Sequence, residues 1–299
     1  MASEGDDITL VVPTYNRAAA LQTNLPSMLA MRDIAEVVIV DDGSADDTLH
    51  VCEQFVDERL KVVRHEANRG LPAARNTGLA AAGGEWVVFG EDDCRFPADY
   101  ATVLRAEAHR HGADIVGAPV LHLKVTDQEV EALAAKAPRV EKLSMENGSV
   151  FPTRAVKTPF IPAVALVRRS VFERVHYYEG FSVNAYREET DFYVQAAREG
   201  FSCLLTGETY CYQLESWDGG AHQSSTLRYE YWVLRNNWRF LRRHATWLIE
   251  HGYIRGAVRA QLGFTGTRVA ILLSGATRAR IRRVRSATGR RRAERRTAA

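Results

Sequence analysis

Short apolar runs alternate with helix-prone segments along the first hundred residues. Ile8-Thr9-Leu10-Val11-Val12 is largely β-branched and stops at Pro13, the pattern of a buried strand. Residues 18–31 favour helix. Glu36-Val37-Val38-Ile39-Val40 predicts a second strand, and Asp46 or Asp47 is placed to cap a helix reaching Val56. Leu60-Lys61-Val62-Val63 predicts a third strand. Gly70 to Ala82 predicts a helix, with Pro72 tolerated in its first turn. Glu85-Trp86-Val87-Val88-Phe89 predicts a fourth strand. Apolar strands alternating with helices imply a parallel sheet covered on both faces. Ligands in such sheets bind beyond the carboxyl ends of the strands. Polar clusters stand at those ends: Thr14-Tyr15-Asn16-Arg17, Asp41-Asp42 and Glu91-Asp92-Asp93.

Further along, 97–110 predicts a helix and 114–117 a short strand. The pattern then breaks down. Pro119, Pro138, Pro152, Pro159 and Pro162 punctuate a polar stretch, which predicts a variable insertion near the site over 118–160. A strand is expected at 163–167, a helix at 188–199 stopped by Gly200, and a long aromatic helix over 224–244. Another helix is expected over 254–273, then a loose tail. The chain has 299 residues. The expected organisation is one domain over 1–245 with a helical, Arg-rich extension over 246–299.

Composition narrows the class. With 46% hydrophobic and 25% charged residues, the chain is neither wholly disordered, nor collagen-like, nor a disulfide scaffold. The formal charge of +2 is uneven. Ten Arg and one Glu between Arg278 and Arg296 give that tail +9, which leaves −7 on the rest. An acidic body argues against nucleic acid as the main partner. The tail suits salt-dependent contact with an anionic surface, or serves only solubility. Cys52, Cys94, Cys203 and Cys211 lack CxxC spacing and predict buried, reduced thiols. No apolar run approaches about 20 residues, so no spanning helix is expected. Residues 1–7 are polar, without a secretory apolar stretch. The expected location is cytoplasmic, with peripheral contact at the inner membrane face open through the tail.

Three adjacent carboxylates, Glu91, Asp92 and Asp93, repel one another unless protonated, hydrated or bound to a cation. Alone, such a triplet would read as a solvated acidic turn. Beyond a buried strand and beside other polar clusters, it points to Mn²⁺ or Mg²⁺ held against a diphosphate. No P-loop, dinucleotide Gly-rich loop or H-E-x-x-H is present to offer other chemistry. Glu188-Glu189-Thr190-Asp191 offers three acids at the start of a helix. On a helix, 188 and 191 share a face while 189 points about 100° away, so they cannot all face one site. Trp217, in a polar loop, suits stacking on a sugar or packing equally. Trp232 and Trp238 suit core packing.

Five motifs in order then carry a family resemblance. Val11-Val12-Pro13-Thr14-Tyr15-Asn16-Arg17, Val40-Asp41-Asp42-Gly43-Ser44, the stretch from Asn68 to Gly78, Glu91-Asp92-Asp93, and Arg187-Glu188-Glu189-Thr190-Asp191-Phe192 resemble the family 2 glycosyltransferases of the GT-A fold. Ala221-His222-Gln223 and the stretch from Tyr231 to Asn237 extend the likeness, which covers about residues 7 to 245. The resemblance implies an α/β GT-A fold with a mixed, mostly parallel sheet and a helical C-terminal extension. It implies an inverting, metal-dependent transfer of a hexosyl or deoxysugar unit. The donor would be a nucleotide-diphosphate sugar. The acceptor would be a hydroxyl of a polysaccharide, cell-wall or natural-product molecule.

The same resemblance assigns roles. Pro13 and Tyr15 match positions lining the nucleobase, where a stacked ring contributes about 1–3 kcal/mol in nucleic-acid systems. Arg17, in the same motif, is expected on the nucleotide, as are Asp42, Arg75 and Asp92. Asp93 and His222 match metal ligands. Glu189 matches the base that deprotonates the acceptor, with Asp191 the second candidate. Glu91 stands where the family usually has Asp. Two other readings remain. A sugar nucleotidyltransferase would show a Gly-rich basic loop after the first strand, which Pro13-Thr14-Tyr15-Asn16-Arg17 is not. A non-catalytic protein bound to an anionic surface rests on the tail alone.

Overall fold

The computed structural model describes residues 7–123, 127–141, 150–181, 183–214 and 226–274. The chain divides into two units, one ending at Asn236 and one beginning at Asn237. The first opens with β1 (Ile8–Thr14), α1 (Ala18–Leu29), β2 (Ile34–Asp41), α2 (Thr48–Gln54), β3 (Leu60–Arg64), α3 (Leu71–Ala81) and β4 (Trp86–Phe89), as the hydrophobic pattern predicts. Then follow β5 (Cys94–Arg95), α4 (Tyr100–His111), β6 (Ile115–Gly117), β7 (Val120–Leu123), α5 (Asp127–Lys136), β8 (Arg139–Val140), β9 (Phe151–Pro152), β10 (Val156–Lys157) and β11 (Ala165–Arg168). A 3₁₀ turn at Arg169–Glu173 leads to α6 (Glu188–Arg198), β12 (Cys203–Leu205), β13 (Cys211–Leu214) and α7 (Thr226–Glu250). A last helix, α8, covers 257–274.

Eight strands form the main sheet in the order β10-β12-β6-β11-β4-β1-β2-β3. β4, β1, β2 and β3 are mutually parallel, whereas β11 runs antiparallel between β4 and β6. The fold is therefore mixed α/β, with the predicted parallel core. Alternate strand residues face opposite sides. Leu10, Val12, Val37, Ile39, Trp86 and Val88 pack into one core layer, and Val11, Val38, Val40, Val87 and Phe89 into the other. One glycine is required by this packing. A Cβ on Gly78 of α3 would lie 2.3 Å from Val11 Cγ1 and 3.0 Å from Val40 Cγ2, so α3 sits on β1 and β2 with no room for a side chain.

Two details differ from the pattern. Asp47 is the N-terminal boundary residue of α2 but makes no side-chain capping bond. Asp46 satisfies the turn instead, accepting from the backbone N–H groups of Thr48 and Ala18. Over 118–160 the described residues hold strands of two to four residues, too short to show a period. β7 joins β13 and β5 in a three-stranded sheet, and β10 forms the edge of the main sheet. All four cysteines are buried and free.

In the second unit, Asn237 Nδ2 donates to Gln261 Oε1 of α8 at 2.8 Å. Trp247 stacks on His251 at 4.1 Å and on Tyr253 at 5.7 Å, which closes the turn between the helices.

Candidate active site

The carboxyl ends of β1, β2 and β4 are tied together. Asp42 N–H donates to Thr14 O, Gly90 N–H to Val11 O, and Asn16 N–H to Ser44 Oγ. Asn16 takes a left-handed conformation with φ 51°, which turns the chain sharply past β1. This turn leaves Tyr15 exposed (36%) and drives Arg17 inward (6%). Pro13 stays buried within β1, opposite Val40.

Arg17 meets the acids directly. Its Nε donates to Asp92 Oδ1 at 3.3 Å and its Nη2 to Asp93 Oδ2 at 2.5 Å. Thr14 Oγ1 donates to Asp92 Oδ2 at 2.8 Å. On the other side, Gln213 Nε2 of β13 donates to Asp93 Oδ1 at 2.7 Å and to Glu91 Oε2 at 3.3 Å. Burial, offset by Arg17, pushes the Asp92 carboxyl up to about 6. Burial and the neighbouring Asp93 push Glu91 up to about 7. The cluster is short of positive charge.

Glu91 and Asp93 offer oxygens within 4.8 Å of each other and of Cys94 Sγ. The Cys94 thiol is held well above its ordinary range by Cys211 and by burial, so it stays protonated. The usable donors are carboxylate oxygens, which suit a hard divalent cation. His222 and Trp217 lie outside the described residues.

Arg75 is wholly buried, so it reaches no open surface. Its Nε donates to Glu188 Oε1 at 2.9 Å and its Nη2 approaches Glu91 Oε1 at 3.4 Å. Its guanidinium lies 5.4 Å from the Phe89 ring and 5.5 Å from the Tyr177 ring. Tyr177 in turn stacks on Phe192 of α6 at 4.4 Å. Among the described residues, Arg75 Nη1, Glu188 Oε2 and Tyr177 Oη have no hydrogen-bond partner. Burial lifts the Glu188 carboxyl to about 8 against the pull of Arg75. An under-satisfied buried network of this kind lowers stability, and such networks concentrate where function needs them.

The start of α6 separates its three acids as the helical spacing predicts. Glu188 and Asp191 are buried (2% and 0%), whereas Glu189 is half-buried. Glu189 stands near enough to Glu91 to help raise its pKa. Asp191 Oδ2 accepts from Gln195 Nε2 at 2.7 Å within the core face of the helix. Asp42 is also fully engaged. Its Oδ1 accepts from Arg69 N–H at 2.8 Å and from His65 Nδ1 at 2.7 Å, and its Oδ2 accepts from Gly70 N–H at 2.8 Å. His65 Nε2 meets Thr77 Oγ1 at 2.9 Å. Asp42 therefore braces the turn into α3.

The structure thus brings Arg17, Glu91, Asp92 and Asp93 together, with Arg75 linking Glu91 to α6 and Tyr15 exposed nearby in sequence. Gln213, His65 and the pairing of Glu188 with Arg75 were not foreseen, and Thr14 was expected only as part of a polar cluster. His65 stands three residues before the Asn68-Arg69-Gly70 motif, which was its one signal. Gln213 had none, because it arrives through a two-residue pairing between β13 and β5.

The comparisons agree with this architecture. The chain is 30% identical to the glycosyltransferase EpsJ of Bacillus subtilis over 64% of its own length and 56% of EpsJ. It is 38% identical to the glycosyltransferase GlyA of Streptococcus pneumoniae over 37% of its length and 16% of GlyA. It therefore spans less than two thirds of either relative. Its fold is similar to that of S. aureus TarS, solved with UDP-GlcNAc (TM-score 0.54, 18% identity, 83% of this chain and 75% of the other). It is also similar to GalNAc-T7, solved with UDP, GalNAc and Mn²⁺ (TM-score 0.59, 16% identity, 80% of this chain and 48% of the other). The pattern of glycosyl transferase family 2 matches residues 9–175, more than half of the chain, and the chain belongs to that family.

Proposed function

We propose that this protein is an inverting glycosyltransferase that moves a sugar from a nucleotide-diphosphate donor to an acceptor hydroxyl. The observation that carries this reading is the acidic cluster beyond β4, joined through buried Arg75 to the first turn of α6. That arrangement supports a diphosphate at one edge and a half-buried carboxylate, Glu189, at the other. Tyr15 stacks on the nucleobase beside Pro13. Arg17 and Asp92 meet the nucleotide, and Asp42 and Arg75 serve it by holding the turn into α3 and the start of α6. Glu189 accepts the proton of the attacking hydroxyl. Asp191, sealed in the core, is the weaker candidate for that role.

Asp93 and Glu91 would hold Mn²⁺ or Mg²⁺, with His222 as a further ligand, and the ion would offset charge on the departing diphosphate. A nucleotide-sugar donor and a divalent ion are supported by the fold shared with TarS and GalNAc-T7, solved with such groups. The acceptor is a polysaccharide, cell-wall or natural-product hydroxyl, bound from the side of 118–160. Transfer takes place in the cytoplasm, where the Arg-rich tail makes peripheral contact with an anionic membrane face.

A thermal-shift series tests the donor. Nucleoside diphosphates with Mn²⁺ should raise the melting temperature, because binding at about 100 Kd adds about 2.7 kcal/mol to the folded state. No shift with any nucleotide in the presence of Mn²⁺ would overturn the reading.

A further inference from the structure

The second unit carries a large charge of its own. From Asn237 to Ala299 there are sixteen arginines, no lysine and two acids, Glu250 and Glu294. Its formal charge is thus +14, which leaves −12 on the rest of a chain totalling +2.

α8 adds an apolar feature to that charge. Successive helical residues turn by about 100°. On that spacing Val258, Leu262 and Val269 fall on one narrow stripe, and Leu273 continues it. Their exposures are 63%, 67%, 46% and 63%. Ala260 and Phe264 lie on the far side and are half-buried, whereas Ile271 on that side is 50% exposed. Gln261, a quarter-turn from the stripe, is held by Asn237. α8 therefore half-buries one side over 257–265 and presents a line of aliphatic side chains to solvent along its length. A helix packed on one side ordinarily shows polar residues on the other. Arg255 and Arg259 flank the stripe at its start, and ten of the arginines follow its end, from Arg278 onward. No helix among the described residues is long and apolar enough to cross a membrane.

We propose that the outward stripe of α8 docks on an anionic phospholipid bilayer. The aliphatic side chains enter the interface, and Arg255 and Arg259 beside them face the headgroups. Charge complementarity selects this occupant. A second copy meeting the stripe two-fold would set one +14 unit against another. A nucleic acid would use the arginines and leave the aliphatic stripe in water. The proposal deepens the peripheral contact stated above, on which it rests. It adds an apolar contribution that salt does not screen to an electrostatic one that salt does.

Vesicle co-sedimentation of the full chain separates the two contributions. The vesicles are phosphatidylcholine alone, and equal parts phosphatidylcholine and phosphatidylglycerol. The wild-type chain should pellet with the mixed vesicles only, and part of that binding should survive high salt. The stripe variant V258S/L262S/V269S should bind mixed vesicles more weakly by on the order of tenfold and lose the salt-resistant part. These positions are exposed, so its melting temperature and its nucleotide-sugar hydrolysis should match wild type. The tail variant R278Q/R280Q/R282Q/R283Q/R285Q should lose the salt-sensitive part. Wild-type binding by the stripe variant at both salts would overturn the docking proposal and leave the tail contact standing. Wild-type binding by the tail variant, with the stripe variant impaired, would remove the tail contact and support the stripe. Failure of the wild-type chain to bind either vesicle would overturn both. A vesicle-free mass that halves in the stripe variant would overturn the proposal in favour of a contact between copies.

Discussion

At the residue scale, the division of labour among the acids is open to direct test. Asp93→Ala should abolish divalent-ion-dependent hydrolysis or transfer and leave the melting temperature near wild type; full activity in that variant, or with excess chelator, would sink the ion assignment. Glu189→Gln should keep nucleotide binding and lose transfer. Asp191→Asn should instead lower stability by about 1–3 kcal/mol, because it alters a buried bonded carboxylate, and should leave transfer measurable. If those two phenotypes exchange, Asp191 is the base. The acids themselves were legible in the sequence, because three of them follow a buried strand directly. The geometry of α6 also followed from spacing alone: Glu188 and Asp191 share the buried face and Glu189 leaves it. Arg75 was legible only as a motif member. That it pairs with Glu188, 113 positions away, depends on the packing of α3 against α6 and has no local sign.

At the element scale, the α/β alternation up to β4 was readable because each strand is long enough to show an apolar run. β5, β8, β9 and β10 have two residues each, and no periodicity exists at that length. Their positions are set by ladder partners distant in sequence. The antiparallel β11 was legible as a strand, but its direction was not. Direction comes from the chain's return through the insertion. Gly78 marks where element packing is tightest. Gly78→Ala would place a methyl 2.3 Å from Val11 Cγ1, so α3 must lift from β1. We expect a loss of about 1–3 kcal/mol, the ordinary range for overpacking, read as a lower denaturation midpoint at unchanged m-value. An unchanged midpoint would show that α3 has slack there.

At the scale of the whole molecule, the acidic cluster sets a pH dependence. Glu91 and Glu188 titrate near 7 and 8 in the folded chain, above the 4.5 of a free glutamate, because burial disfavours their charge. The folded chain therefore holds protons that the unfolded chain releases. Their stabilising contribution is complete below 4.5 and is lost as the pH rises through 7 to 8. The ion-free melting temperature should fall across that window, and Glu188→Gln should flatten the fall. A fall of equal size in Glu188→Gln would remove Glu188 as a contributor. Net charge was the least informative sequence quantity at this scale, since +2 is the sum of units of −12 and +14.

The four buried, free thiols have a practical consequence. They sit on α2, on β12, and on the paired strands β5 and β13, where Cys94 and Cys211 are neighbours. A thiol sealed in a closed fold reacts with a labelling reagent only while its surroundings are open. Each labelling rate, divided by the rate of a free thiol, thus gives the opening equilibrium at that place, without introducing any probe. Cys94 adjoins the acidic cluster, whereas Cys52 lies on α2, which packs on α1. Nucleotide and divalent ion should slow labelling of Cys94 more than of Cys52, so the native cysteines form a built-in map of where ligand binding tightens the molecule.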